Sequence, residues 1–106
     1  MRSANIFHIA HSADWRKALD MGIYSADTLG REGFIHCCFW DQVKKVGSQF
    51  FKNVEDLVLV EIDVSKLSSK VKEENLEGGQ ELFPHVYGAI NLEAVVAVRE
   101  FIPEDS

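Results

Sequence analysis

Leu57-Val58-Leu59-Val60-Glu61-Ile62-Asp63 is apolar at all but two of its positions. A run so short and so nearly continuous reads as a strand covered on both faces, a place found in the interior of a sheet. Around this central strand the other elements fall into place. Upstream, Ile6-Phe7-His8-Ile9-Ala10 reads as a first strand interrupted by a histidine. Ser12 is a good N-cap and Trp15, Ala18 and Leu19 follow at helical spacing, so a helix is expected from about 13 to 21, before Gly22. Ser25 caps a second short helix with Asp27 in its first turn, and Gly33 ends it. Gly33 releases the chain into Phe34-Ile35-His36-Cys37-Cys38-Phe39, a second apolar run with a histidine inside it. Asp41 then caps a helix carrying Val43, Val46, Gly47 and Phe50 on one stripe and ending near Phe51.

Downstream, Val71-Lys72-Glu73-Glu74 reads as an exposed strand, followed by an acidic, flexible loop from Leu76 to Glu81. Phe83-Pro84-His85-Val86-Tyr87-Gly88 resumes ordered chain, with Pro84 restricted to a strand start or edge. A closing strand runs from about Val95 to Phe101, ahead of the acidic tail Pro103-Glu104-Asp105-Ser106. Strands and helices do not alternate strictly, so the expected fold is a single α+β domain over residues 1–106 with a mixed or mainly antiparallel sheet.

At 106 residues with 46% hydrophobic and 26% charged side chains, the chain has the make-up of one globular domain with its own core. Its longest apolar run, Ala94 to Val98, is far shorter than the ~20 residues of a membrane-spanning helix. The N-terminus lacks the apolar core of a secretory signal, which places the protein in the cytoplasm. A formal charge of −6 with no cluster of Lys or Arg beyond Lys44-Lys45 makes nucleic acid a poor partner. Cys37 and Cys38 are adjacent, and a bond between neighbours strains the peptide, so both are expected as reduced thiols.

Phosphate-binding glycine loops, nucleophile elbows and paired zinc-ligand motifs are absent from the sequence. What stands out is that His8, His36 and His85 each interrupt an apolar segment, where an imidazole costs free energy unless it is hydrogen-bonded. One such residue alone is most simply a satisfied core histidine; three lining one cleft make an acid/base or ligand-orienting set. Alternation puts Phe34, His36 and Cys38 on one strand face and Ile6, His8 and Ala10 on one face of the other. If these histidine faces meet, Phe7, Ile9, Ile35 and Cys37 are left to fill the core. Tyr24, beside Ser25, and Tyr87 sit at glycine-flanked corners, where each either closes the core rim or stacks on a ligand ring. Trp15 and Trp40 read as packing anchors. A His/Cys metal site and a catalytic Cys38 beside His36 or His85 are the competing readings. Neighbouring cysteines on a strand point to opposite faces, which argues against shared ligation. Glu61, Glu73, Glu74 and Glu81 are the candidate carboxylates.

In order along the chain, Phe7-His8-Ile9, Asp14-Trp15, Gly22-Ile23-Tyr24, Glu32 to Cys37, Asp56 to Asp63 and Phe83 to Gly88 resemble the small bacterial proteins grouped as domain-of-unknown-function family nine-fifty-two. Cys38 stands where that family usually has serine. The layout is also similar to the ADP-ribosyltransferase-like superfamily, which implies a split sheet with an NAD pocket between a first-strand histidine and a His-x-Ser strand. His8 and His36 occupy those places. The resemblance implies His8, His36 and His85 as the catalytic set, with Tyr24, Ser25, Cys38 and Tyr87 around a nucleotide-type ligand and NAD as the possible cofactor. A noncatalytic small-ligand or partner-binding module with the same cleft is the alternative.

Overall fold

The computed structural model describes residues 5–75 and 81–103. The expected acidic loop, apart from Glu81, and the tail beyond Pro103 lie outside them. The central strand is where the sequence puts it: β4 (Leu57–Asp63) pairs with β1 (Asn5–His11) on one side and β8 (Val95–Phe101) on the other. A second three-stranded sheet is ordered β3 (Ile35–His36), β6 (Phe83–Tyr87), β5 (Lys70–Glu74). Two short strands, β2 (Ile23–Tyr24) and β7 (Ile90–Asn91), form a separate pair. Every ladder is antiparallel. The two larger sheets approach at a bridge between Phe7 and Cys38, so the chain is an α+β domain built on two half-sheets. Among the described residues no helix is long and apolar enough to cross a membrane.

Three helices, α1 (Ser12–Met21), α2 (Asp27–Glu32) and α3 (Val43–Phe50), connect the early strands. Their starts differ from expectation. Ser12 and Asp27 open their helices from within, behind His11 and Ala26 in extended backbone that offer no side-chain cap. Asp41 lies inside a 3-10 turn, Trp40–Gln42, and Ser25 caps nothing. The buried Gln42 does the fastening: its Oε1 accepts from Phe39 N–H at 2.9 Å and its Nε2 donates to the Leu82 carbonyl at 3.0 Å. Gly33, at φ 86°, ends α2 in the left-handed conformation glycine favours.

The expected strand over 34–39 is reduced to β3 and the bridge at Cys38. Pro84 explains where the ladder stops. It sits near the start of the middle strand, and its carbonyl accepts from Cys37 N–H at 3.1 Å. Antiparallel strands turn a residue's N and O to the same neighbour, so the donor that proline lacks is missing on the β3 side.

The core also divides differently. Ile35 and Cys37 pack with Ile6, Ala10, Val60, Ile62 and Val86, whereas Phe7 and Ile9 pack with Cys38, Val43, Leu57 and Leu59. The expected single cluster of Phe7, Ile9, Ile35 and Cys37 is thus two, because the His8 face of β1 meets the Ile35 face of the second apolar run and not its His36 face. Trp15 is buried as expected, but Trp40 is 62% exposed and only leans on Phe7.

Candidate functional site

Where β1, α2, the 36–38 segment and α3 converge, they enclose a cavity of about 580 Å³. His8 projects from β1 into a fixed pair of bonds. Its Nδ1 lies 2.7 Å from the His36 carbonyl, which can only accept, so Nδ1 carries the proton. Burial pulls the His8 pKa down from 6.5 to about 4, so the ring is neutral and Nε2 is an acceptor. Tyr24 O–H therefore donates to Nε2, at 2.8 Å. The Tyr24 hydroxyl is itself held protonated by burial and by the nearby Asp14 carboxylate. Trp15 braces the Tyr24 ring from α1, with centroids 6.0 Å apart.

His36 sits at the rim, half-exposed, and donates from Nε2 to Glu32 Oε1 at 3.3 Å. His85 stands behind it. Its ring is 2% exposed, meets the His36 ring edge-on at 5.4 Å, and is absent from the cavity wall. Phe34 stacks against His36, His85 and Tyr87, at 4.9, 4.5 and 5.4 Å. Glu74 Oε1 accepts from both Tyr87 O–H at 2.6 Å and His85 Nδ1–H at 3.0 Å. These two bonds hold the Glu74 carboxyl below the usual carboxylate range. Of the sequence-derived set, the structure thus brings His8, Tyr24, His36 and Cys38 to the cavity, while His85 and Tyr87 form a bonded unit behind the rim. Ser25 does not line it.

Cys37 and Cys38 are free, buried thiols in different core clusters. Burial pushes both upward, Cys38 to about 12, so neither is a thiolate nucleophile at neutral pH. Among the described residues no group of three or more His, Cys, Asp or Glu is arranged to hold a metal ion. Of the carboxylates singled out in the sequence, Glu61 accepts from Asn5 Nδ2 at 2.6 Å, Glu81 pairs with Lys45, and neither lines this cavity.

Sequence reasoning missed two contributions. One is the polar edge from α2 and its surroundings: Asp14, Asp27, Thr28, Arg31 and Glu32. Glu32, four residues before His36 and joined to it, was the legible signal. The other is backbone. Phe7 N–H donates to the Cys38 carbonyl at 2.7 Å and Cys38 N–H returns the bond at 2.8 Å, so Phe7 turns both its groups away from β4. Alternation places Ile9 N–H and C=O on that same outer edge, two residues on. Past Cys38 no described strand continues alongside, and Ile9 lines the cavity while only 7% exposed. By this alternation the N–H and C=O of Ile9 point away from β4, to an edge that no other described strand meets.

A family model described as "Protein of unknown function (DUF952)" matches residues 9–98. The crystal structure of protein CC0527 from Caulobacter crescentus is similar at a TM-score of 0.81 and 26% identity, over 91% of this chain and 84% of that one. The solution NMR structure of the same protein gives 0.79 and 26%, over 92% and 84%. No curated protein matches the sequence.

Proposed function

The chain belongs to the DUF952 family, and from its geometry we propose that the cavity binds a pyridine-nucleotide-type small molecule, of the NAD class, by its carboxamide. One feature carries this: Ile9, buried at the cavity wall, whose N–H and C=O by strand alternation point to an edge that no other described strand meets. Buried backbone groups are almost always paired, so a pair left open in a cavity calls for a matching acceptor and donor. A primary carboxamide supplies both from one planar group, with the flat ring beside it resting against Phe7, Phe51 and Phe83. His8 works as a positioning residue, since both its nitrogens are taken by protein groups and its task is to hold the Tyr24 hydroxyl. His36 is the imidazole that meets the ligand.

ADP-ribosyl-transfer-like chemistry would break the bond between ribose and the pyridinium nitrogen. The electron pair leaves with nicotinamide, and a nucleophile takes the ribosyl cation. Glu32, held at His36, is the carboxylate placed to stabilise that cation. The same cavity as a noncatalytic binding module is the second reading, favoured by the protonated thiols and the neutral, fully engaged His8.

The test is a thermal-shift series with nicotinamide, NAD and ADP-ribose on the parent and on His36→Ala. Ligand at about 100 times its Kd should add ~2.7 kcal/mol, a melting shift on the order of 10 °C for a domain of this size. His36→Ala should melt within ~0.5 kcal/mol of the parent and lose the shift. No shift with any of the three at millimolar concentration refutes the reading. Nicotinamide release from NAD, abolished in Glu32→Gln, separates the transferase from the binding module.

A further inference from the structure

We infer that, within the carboxamide reading above, the cavity selects a cationic pyridinium nucleoside that carries no phosphate over a dinucleotide. The fixed charges on its wall decide this. Among the described residues of the wall, Asp14, Asp27 and Glu32 stand with a single cation, Arg31, a net formal charge of minus two apart from the histidines. Arg31 follows Asp27 by one helical turn on the same helix and is next to Glu32, so its field is offset where it arises. The field of the whole chain, at −6, has the same sign. A pyrophosphate brought here would add two negative charges to an acidic rim with a single guanidinium to meet them.

The aromatic content of the cavity points the same way. Phe7, Phe50, Phe51 and Phe83 line it, with Phe50 57% exposed, and a flat cation is attracted to aromatic faces as well as to carboxylates. The ligand class that satisfies every wall is an N-glycosylated pyridinium carboxamide. Its amide pairs with Ile9, its positive ring lies between phenyl rings and carboxylates, and its sugar hydroxyls are neutral.

Calorimetric titration of the full chain at low salt, with nicotinamide riboside, nicotinamide, NAD and ADP-ribose as probes, tests this. The riboside should bind on the order of tenfold tighter than NAD, with ADP-ribose weakest, and added salt should narrow the gap. The variant D27N should lose about threefold for the riboside and keep its affinity for uncharged nicotinamide; should it fail to fold, the salt series on the parent decides alone. NAD binding as tightly as the riboside overturns the charge selection and leaves the carboxamide reading standing, whereas ADP-ribose, which has no carboxamide, binding as tightly overturns both. Absence of binding by both nicotinamide and the riboside overturns the two together.

Discussion

His8 is the residue whose environment makes the most measurable demand. Its folded pKa of about 4 lies below the ordinary 6.5, so between those values the unfolded chain takes a proton that the folded chain refuses. Its stabilising contribution is complete above pH 6.5, declines as the pH falls, and is gone below about 4. The shift corresponds to about 3 kcal/mol. Denaturant midpoints measured across that window should fall for the parent and stay nearly flat for His8→Phe; parallel profiles would show that His8 is not the titrating group. Glu74 and Asp63, both held low by hydrogen bonds, act in a separate and more acidic window. The neighbouring thiols give a second expectation. With Cys37 and Cys38 buried and protonated, a thiol reagent at neutral pH should find almost nothing in the folded protein and two groups after unfolding without reductant. Rapid labelling of the native state would place one of them at the surface.

At the scale of elements, Gly88 closes β6 at φ 152°, and a Cβ added there would stand 2.9 Å from Ser69 Cβ and closer still to its Oγ. That hydroxyl already donates to the Ala89 carbonyl at 2.6 Å and cannot move freely. Gly88→Ala should therefore cost about 1–3 kcal/mol from strain and overpacking, read as a lower denaturant midpoint; a neutral result would mean that the Ser69 turn yields. The same elements show what the sequence could tell. β4 and β8 were legible to the residue because runs of this length rich in Val and other β-branched residues favour strand. α2 ended at Gly33 for a reason local to that glycine. Helix starts were not legible, because Ser12, Ser25 and Asp41 look like caps wherever they stand, and tertiary contacts such as that of Gln42 chose the boundary instead. His8 and His36 were found because a polar ring in an apolar run is anomalous. His85 is anomalous in the same way and was placed with them, but its partner Glu74 comes from a strand paired in register with its own, which no spacing reveals. The open amide of Ile9 has no side-chain signature at all.

For the whole molecule, the consequential feature is that two half-sheets approach at the Phe7–Cys38 bridge and the cavity opens beside it. The sheet ordered β1, β4, β8 shares long ladders, seven paired positions between its first two strands, so its amides open only with the fold. The bridge has two bonds, from Phe7 and Cys38, and parting them requires neither sheet to unfold. Native-state hydrogen exchange should therefore sort the backbone into two classes: Ile6, His8, Val60 and Ile62 exchanging at the global rate, and Phe7 and Cys38 exchanging faster through a local opening. A ligand that pairs with Ile9 adds a bond on the same edge as Phe7 and spans the gap between the half-sheets. Saturating nicotinamide should then slow Phe7 and Cys38 by about the same factor as the β4 amides, because parting the seam must release the ligand just as global unfolding does. Slowing of the β4 amides with Phe7 and Cys38 unchanged would mean that the seam opens while the ligand stays bound, and the Ile9 contact would have to be given up.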